Sequence, residues 1–250
     1  GKEPSAAQPL LWSVDGTSNN ACFFMVFAAL ITPALASSNA TAYVGPIVSL
    51  GNLHTCAVNE NATLVCWGVN LNSQFETGDT LGDGSPYSVH LNPSEAFGGV
   101  DLGTVKQVSA GTYHTFVLFQ NGTLMCAGHN RDGSCGGGFV STVSPFAQPD
   151  PITVAGLGGP VVQVTATHYG GCALMVTGDV KCWGRNDDRE VGTGDAASPV
   201  VTPTAVLGID EIVMELFQGL TNTCVRLGNS PLMCWAGGGT MPVSSVMAVP

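Results

Sequence analysis

The chain has 250 residues and a formal charge of −11, from 7 Lys and Arg against 18 Asp and Glu, and only 10% of its residues are charged. That balance excludes a nucleic-acid surface, because phosphate binding needs clustered Lys and Arg, and it leaves little acid–base machinery for a conventional cytosolic enzyme. With 44% hydrophobic residues the chain can bury a sizeable core and is not a disordered tail.

Residues 1–44 read as a non-repeat, apolar N-terminal arm. Its run is Ala21-Cys22-Phe23-Phe24-Met25-Val26-Phe27-Ala28-Ala29-Leu30-Ile31, followed by Thr32-Pro33-Ala34-Leu35-Ala36. The pattern is close to the apolar region and cleavage site of a signal peptide, but the preceding residues are not a short basic segment, since Lys2 is offset by Glu3 and Asp15. The eleven uninterrupted apolar residues 21–31 fall short of the roughly twenty that a membrane helix needs. No polybasic flank anchors them, so a membrane span is not expected. Such a run has to be buried somewhere. It either packs on its own repeat domain or adds a strand to a neighbouring copy. The second reading makes Cys22, Phe23, Phe24, Met25, Val26, Phe27, Leu30 and Ile31 the assembly residues. Copies of the chain itself become the partner, and a head-to-tail contact that does not close gives a filament.

Residues 45–250 read as a repeat domain. Its copies occupy 48–68, 108–128, 164–184 and 216–236, and the first cysteine position falls at Cys56, Phe116, Cys172 and Cys224, giving spacings of 60, 56 and 52 residues. Each copy alternates apolar and polar residues, turns at Asn, Gly or Asp, and alternates again, which is the pattern of a β-hairpin. The pairs Cys56/Cys66, Cys172/Cys182 and Cys224/Cys234 are each ten residues apart. That spacing lacks the close knuckles of a zinc site and places the two cysteines on facing strands, so three disulfides are expected and no metal. Oxidised cysteines point to a secreted or surface location. Cys126, facing Phe116, is left to pair with Cys135 or with Cys22 or to stay reduced, with Cys135 favoured. The blades are expected near 45–100, 101–158, 159–208 and 209–250.

His54-Thr55-Cys56-Ala57, the Cys66-Trp67-Gly68 and Cys182-Trp183-Gly184 triplets, and the connector endings Thr77-Gly78-Asp79 and Thr193-Gly194-Asp195 resemble the regulator of chromosome condensation repeat family in a cysteine-bearing, secreted form. The resemblance runs over residues 43–250 and implies an all-β fold, a β-propeller of four-stranded blades around a central channel. Family members usually carry seven repeats. Four repeats here imply a small closed ring, an open arc, or a ring completed by another chain.

No catalytic residue is expected. Motifs of the G-x-S-x-G, H-E-x-x-H and phosphate-loop types are absent, and His54 and His114 recur at one repeat position, which reads as support of the hairpins. Asp187-Asp188 and the 79–83 stretch read as turns rather than calcium ligands, and Trp67, Trp183 and Trp235 as blade packing. No cofactor is expected. Asn39, Asn61 and Asn121 begin N-x-Thr sequons, the last two at equivalent hairpin tips, so N-linked glycans are expected partners. The resemblance offers nucleotide exchange on a small GTPase, against which the disulfides, the acidic charge and the few blades argue. It also offers a monomeric secreted propeller acting as a protein-binding or inhibitor module, marked by an exposed aromatic cluster on one propeller face. The leading expectation is a structural subunit of an extracellular filament, joined by the arm.

Overall fold

The computed structural model describes residues 48–58, 64–74, 89–95, 97, 105–142, 147–219, 222–228 and 232–236. All of them belong to the compact unit Tyr43–Pro250. The arm residues Cys22 to Ile31, and Asn39 and Asn61, lie outside the described residues.

Fifteen strands and no helix make up the described residues, in four antiparallel sheets. The first holds β1 (Val48–Leu50), β2 (His54–Val58), β3 (Leu64–Val69) and β4 (Val89–Glu95). The second holds β5 (Val105–Ala110), β6 (His114–Phe119), β7 (Leu124–His129) and β8 (Ala147–Thr153). The third holds β9 (Val161–Ala166), β10 (Gly170–Met175), β11 (Val180–Gly184) and β12 (Val200–Ala205). The fourth holds β13 (Val213–Gln218), β14 (Asn222–Leu227) and β15 (Leu232–Ala236). In every sheet the strands lie in chain order, as propeller blades do.

Local sequence explains the hairpins. In the tip 120–122 the Gly122 N–H donates to the Phe119 carbonyl at 2.9 Å, and the same bond joins Gly178 to Met175 in the tip 176–178. Both glycines hold positive φ, 81° and 87°, the left-handed residue that a three-residue hairpin loop requires. Asn121 is exposed in its tip, where its side chain accepts the Thr123 N–H at 2.9 Å.

The structure joins Cys56 to Cys66, Cys172 to Cys182 and Cys224 to Cys234 across directly opposed positions of adjacent strands. Cys126 is bonded to Cys135, which ties β7 to its connector. Phe116 stands opposite Cys126 instead of a cysteine and fills the next blade: its ring meets that of Trp183 edge-on at 5.4 Å.

Packing runs laterally, sheet against sheet, so the core is three separate layers. Strand β5 packs on β1 and β2, β9 on β5 and β6, and β13 on β9 and β10. Between the second and third sheets lie Phe116, Leu118, Leu124, Val164, Ala173 and Trp183, all fully buried or nearly so. Burial of each large side chain contributes about 1.5–3 kcal/mol. Polar clamps set the lateral register. The Gln107 amide donates to the Val164 carbonyl at 2.8 Å and accepts its N–H at 3.0 Å, and Gln163 does the same to Leu216 at 2.8 and 2.9 Å. Ser49 and Ser109 accept the N–H groups of Ala110 and Ala166.

His54 and His114 bridge neighbouring blades. His54 Nε2 lies 2.8 Å from Thr115 Oγ1, and His114 Nε2–H donates to the Gly170 carbonyl at 2.9 Å. Burial, and then neighbouring His114, pushes His54 down to about 3; burial pushes His114 down to about 4, outweighing its bond to Gly170. Both rings are neutral in the fold but titrate near about 6.5 once the chain unfolds. Stability is therefore full above about pH 6.5 and falls by about 1.4 kcal/mol per pH unit per histidine as the pH drops toward about 4. Melting midpoints measured through that window should fall steeply, and less steeply in His114→Gln; equal slopes would contradict this origin.

Candidate binding face

In the first three sheets the turn between the first two strands and the start of the connector after the third emerge at the same end. Three glycines bring them together. Gly68, Gly128 and Gly184 have φ of 112°, 116° and 108°, a conformation only glycine adopts readily, and the ladder to the fourth strand shifts register there. The next residue then hydrogen-bonds the turn: the N–H groups of Val69, His129 and Arg185 donate to the carbonyls of Leu53, Tyr113 and Tyr169 at 2.8, 2.8 and 3.0 Å. The connector beyond is held by a buried asparagine, Asn130 accepting the Cys135 N–H and Asn186 accepting that of Val191, each at 3.0 Å.

On the second and third sheets this end carries a joined set of rings. His168 stacks on Tyr169 at 4.0 Å with 17° between planes, and Tyr113 lies 5.9 Å from Tyr169, 5.9 Å from His129 and 6.1 Å from His168. The Arg185 guanidinium sits 5.8 Å from the centre of the Tyr169 ring, a cation–π distance, while Nε donates to Asp187 at 2.8 Å. That bond raises the Arg185 pKa, and the hydrogen bond from Ser198, then that from Arg185, lowers the Asp187 pKa. Burial lowers both His129 and His168; the nearby Arg131 and Arg185 add to this, Asp132 opposes it at His129. All four rings are half-buried. The result is a cluster of four half-buried rings spanning two sheets, with an ion-paired arginine beside it.

Of the residues expected to carry function, the cysteines are structural and Asn121 is at a hairpin tip remote from this end. Among the described residues no group of His, Cys, Asp and Glu is placed to hold a metal ion. The ring cluster itself was not foreseen residue by residue. Its signal lies in the repeat alignment, where Leu53, Tyr113 and Tyr169 each stand three residues before the first cysteine position.

The regulator of chromosome condensation (RCC1) repeat matches residues 47–74 and 105–134, the first three strands and connector of the first two sheets. The structure also resembles that of human WBSCR16, with a TM-score of 0.65 at 21% identity over 77% of this chain and 48% of that one. The first two sheets carry RCC1 repeats, and the fold is similar to that of an RCC1-type propeller. Protein pim1 of Schizosaccharomyces pombe is 26% identical over 170 residues, 64% of this chain and 30% of its own length. The secretion-regulating guanine nucleotide exchange factor of Mus musculus is 27% identical over 181 residues, 72% of this chain and 37% of its own length. The chain thus spans about a third of the length of these curated relatives. In its third and fourth sheets, which the family match does not reach, the same repeat register is visible in the opposed cysteine pairs.

Proposed function

We propose that this RCC1-repeat chain is a non-enzymatic protein-binding module whose partner engages the aromatic end of its second and third sheets. The observation that carries the reading is the contiguity of Tyr113, His129, His168 and Tyr169 across two blades. Rigid tyrosines backed by arginine are the side chains that dominate interface energies, because they bury large areas at little entropic cost. Four disulfides support an oxidising compartment, hence a secreted module. Asn121, exposed in its tip, is open to a glycan that leaves this end free. Nucleotide exchange, the activity in the mouse relative's name, belongs to a protein of which the match covers 37%, and nothing on this face favours it over simple binding. The filament reading rests on Cys22 to Ile31, outside the described residues.

Proximity labelling with the chain as bait, in wild type and in Tyr169→Ala and Tyr113→Ala, tests the reading. Truncating a central ring should weaken capture by about thirtyfold or more, the effect of losing an interface hot spot, with the melting midpoint little changed. Val176→Ala, at an exposed hairpin tip of the other end, should change nothing. Partners captured equally by all variants would remove the face from consideration.

A further inference from the structure

The lateral faces of the four sheets can be compared row by row, because the register is the same in each. On the side facing the next blade, the second sheet aligns Gln107, Leu118 and Leu124, and the third aligns Gln163, Leu174 and Val180. These rows are buried except for the half-buried Gln163, and they pack on Val164 and Ala173 of the third sheet and on Leu216 and Val225 of the fourth. The same row of the fourth sheet reads Glu215, Arg226 and Leu232. There the clamping amide has become a carboxylate and the core leucine a guanidinium, and the two form an ion pair at 3.2 Å with side chains 43% and 49% exposed. In the neighbouring row Phe217 replaces Ser49, Ser109 and Thr165, the hydroxyl-bearing position, and is 41% exposed.

The first sheet shows no such change. The first sheet's rear face aligns Val48, Ala57 and Val65, and Leu50, Thr55 and Trp67, which matches Val164, Ala173 and Lys181, and Ala166, Gly171 and Trp183, in the third. Val48 and Leu50 are 49% and 61% exposed, whereas their counterparts Val108 and Ala110 are buried. Trp183 and Trp235 each donate their indole N–H to a carbonyl in the preceding blade's connector, Ser134 and Glu190. Trp67 occupies the same repeat position.

We propose that the Arg226–Glu215 ion pair keeps the outer face of the fourth sheet from docking on the exposed first-sheet face of a second copy. Without the pair, the two end faces of one chain are halves of the junction that the chain makes internally three times. With it, docking sets Arg226 against Val48 and Ala57 and buries a charge pair against apolar side chains, which is unfavourable unless every polar atom is repaired.

The test uses the full chain. Glu215→Gln, Phe217→Ser and Arg226→Leu together restore the internal code, and sedimentation velocity should then show head-to-tail association at least about tenfold tighter than wild type. Adding Leu50→Lys should return the variant to the wild-type distribution. Arg226→Leu alone, a change at an exposed position, should show a smaller gain and serves if the triple variant folds poorly. Two results overturn the proposal: neither variant associates more than wild type, or the gain survives Leu50→Lys.

Discussion

Placing threonine at Gly171 should destabilise the chain by about 2–3 kcal/mol, the range of an overpacked core, although threonine is what stands at this position in the other three sheets, as Thr55, Thr115 and Thr223. The third sheet differs because of what faces it. A Cβ on Gly171 would lie 2.6 Å from Phe116 Cε2 and 2.9 Å from both Phe116 Cζ and Trp183 Cζ2. Phe116 in turn occupies the position held elsewhere by Cys56, Cys172 and Cys224, and it is fully buried between the second and third sheets. The large ring on one blade and the missing side chain on the next are a single packing solution. Phe116→Ala alone should cost about 3–5 kcal/mol through the cavity it leaves. The double variant Phe116→Ala with Gly171→Thr should cost clearly less than the sum, since the new side chain fills part of that cavity. Urea unfolding of the four proteins gives the coupling directly. Strict additivity would show that the two positions do not share the site.

Removing the amide at Gln107 should have the next largest effect. Gln107 is buried, and its one side chain satisfies both the N–H and the C=O of Val164. Leucine has a similar volume but no polar atoms, so Gln107→Leu leaves two backbone groups buried without partners, a loss of about 2–4 kcal/mol. Gln163→Leu orphans the same pair of groups on Leu216, but Gln163 is only half-buried and water can reach the junction; about half that loss is expected. Amide hydrogen exchange separates the local effect from the global one, with the Val164 amide losing protection first in Gln107→Leu. Unchanged protection at Val164 would show that the clamp carries no stability.

Both predictions concern the junctions between blades, and this is where sequence reading reached its limit. The hairpins were legible because their signals are local: period-two alternation, a turn glycine, and cysteines ten residues apart that must oppose each other once the turn is formed. The Cys126–Cys135 pairing remained open on sequence alone because Cys135 lies in a connector, whose path is set by Asn130 accepting the Cys135 N–H rather than by strand register. The recurrence of His54 and His114 was visible, yet their work was not, since each reaches a residue 61 or 56 positions away on the next sheet. The same is true of the aromatic end. Tyr113 and His168 are far apart in sequence and become neighbours only when two blades stand side by side.

Sequence by itself determined the all-β repeat, its register, the facing cysteines and the net negative charge, because each follows from residue types read over one hairpin or summed over the chain. Tertiary structure decided the Phe116–Gly171 fit, the amide clamps, the buried histidine bridges and the ring cluster. Those depend on how neighbouring sheets stack laterally, and the distance and angle between two sheets are set by the combined volume of all the side chains between them, a quantity that no stretch of sequence within one blade contains.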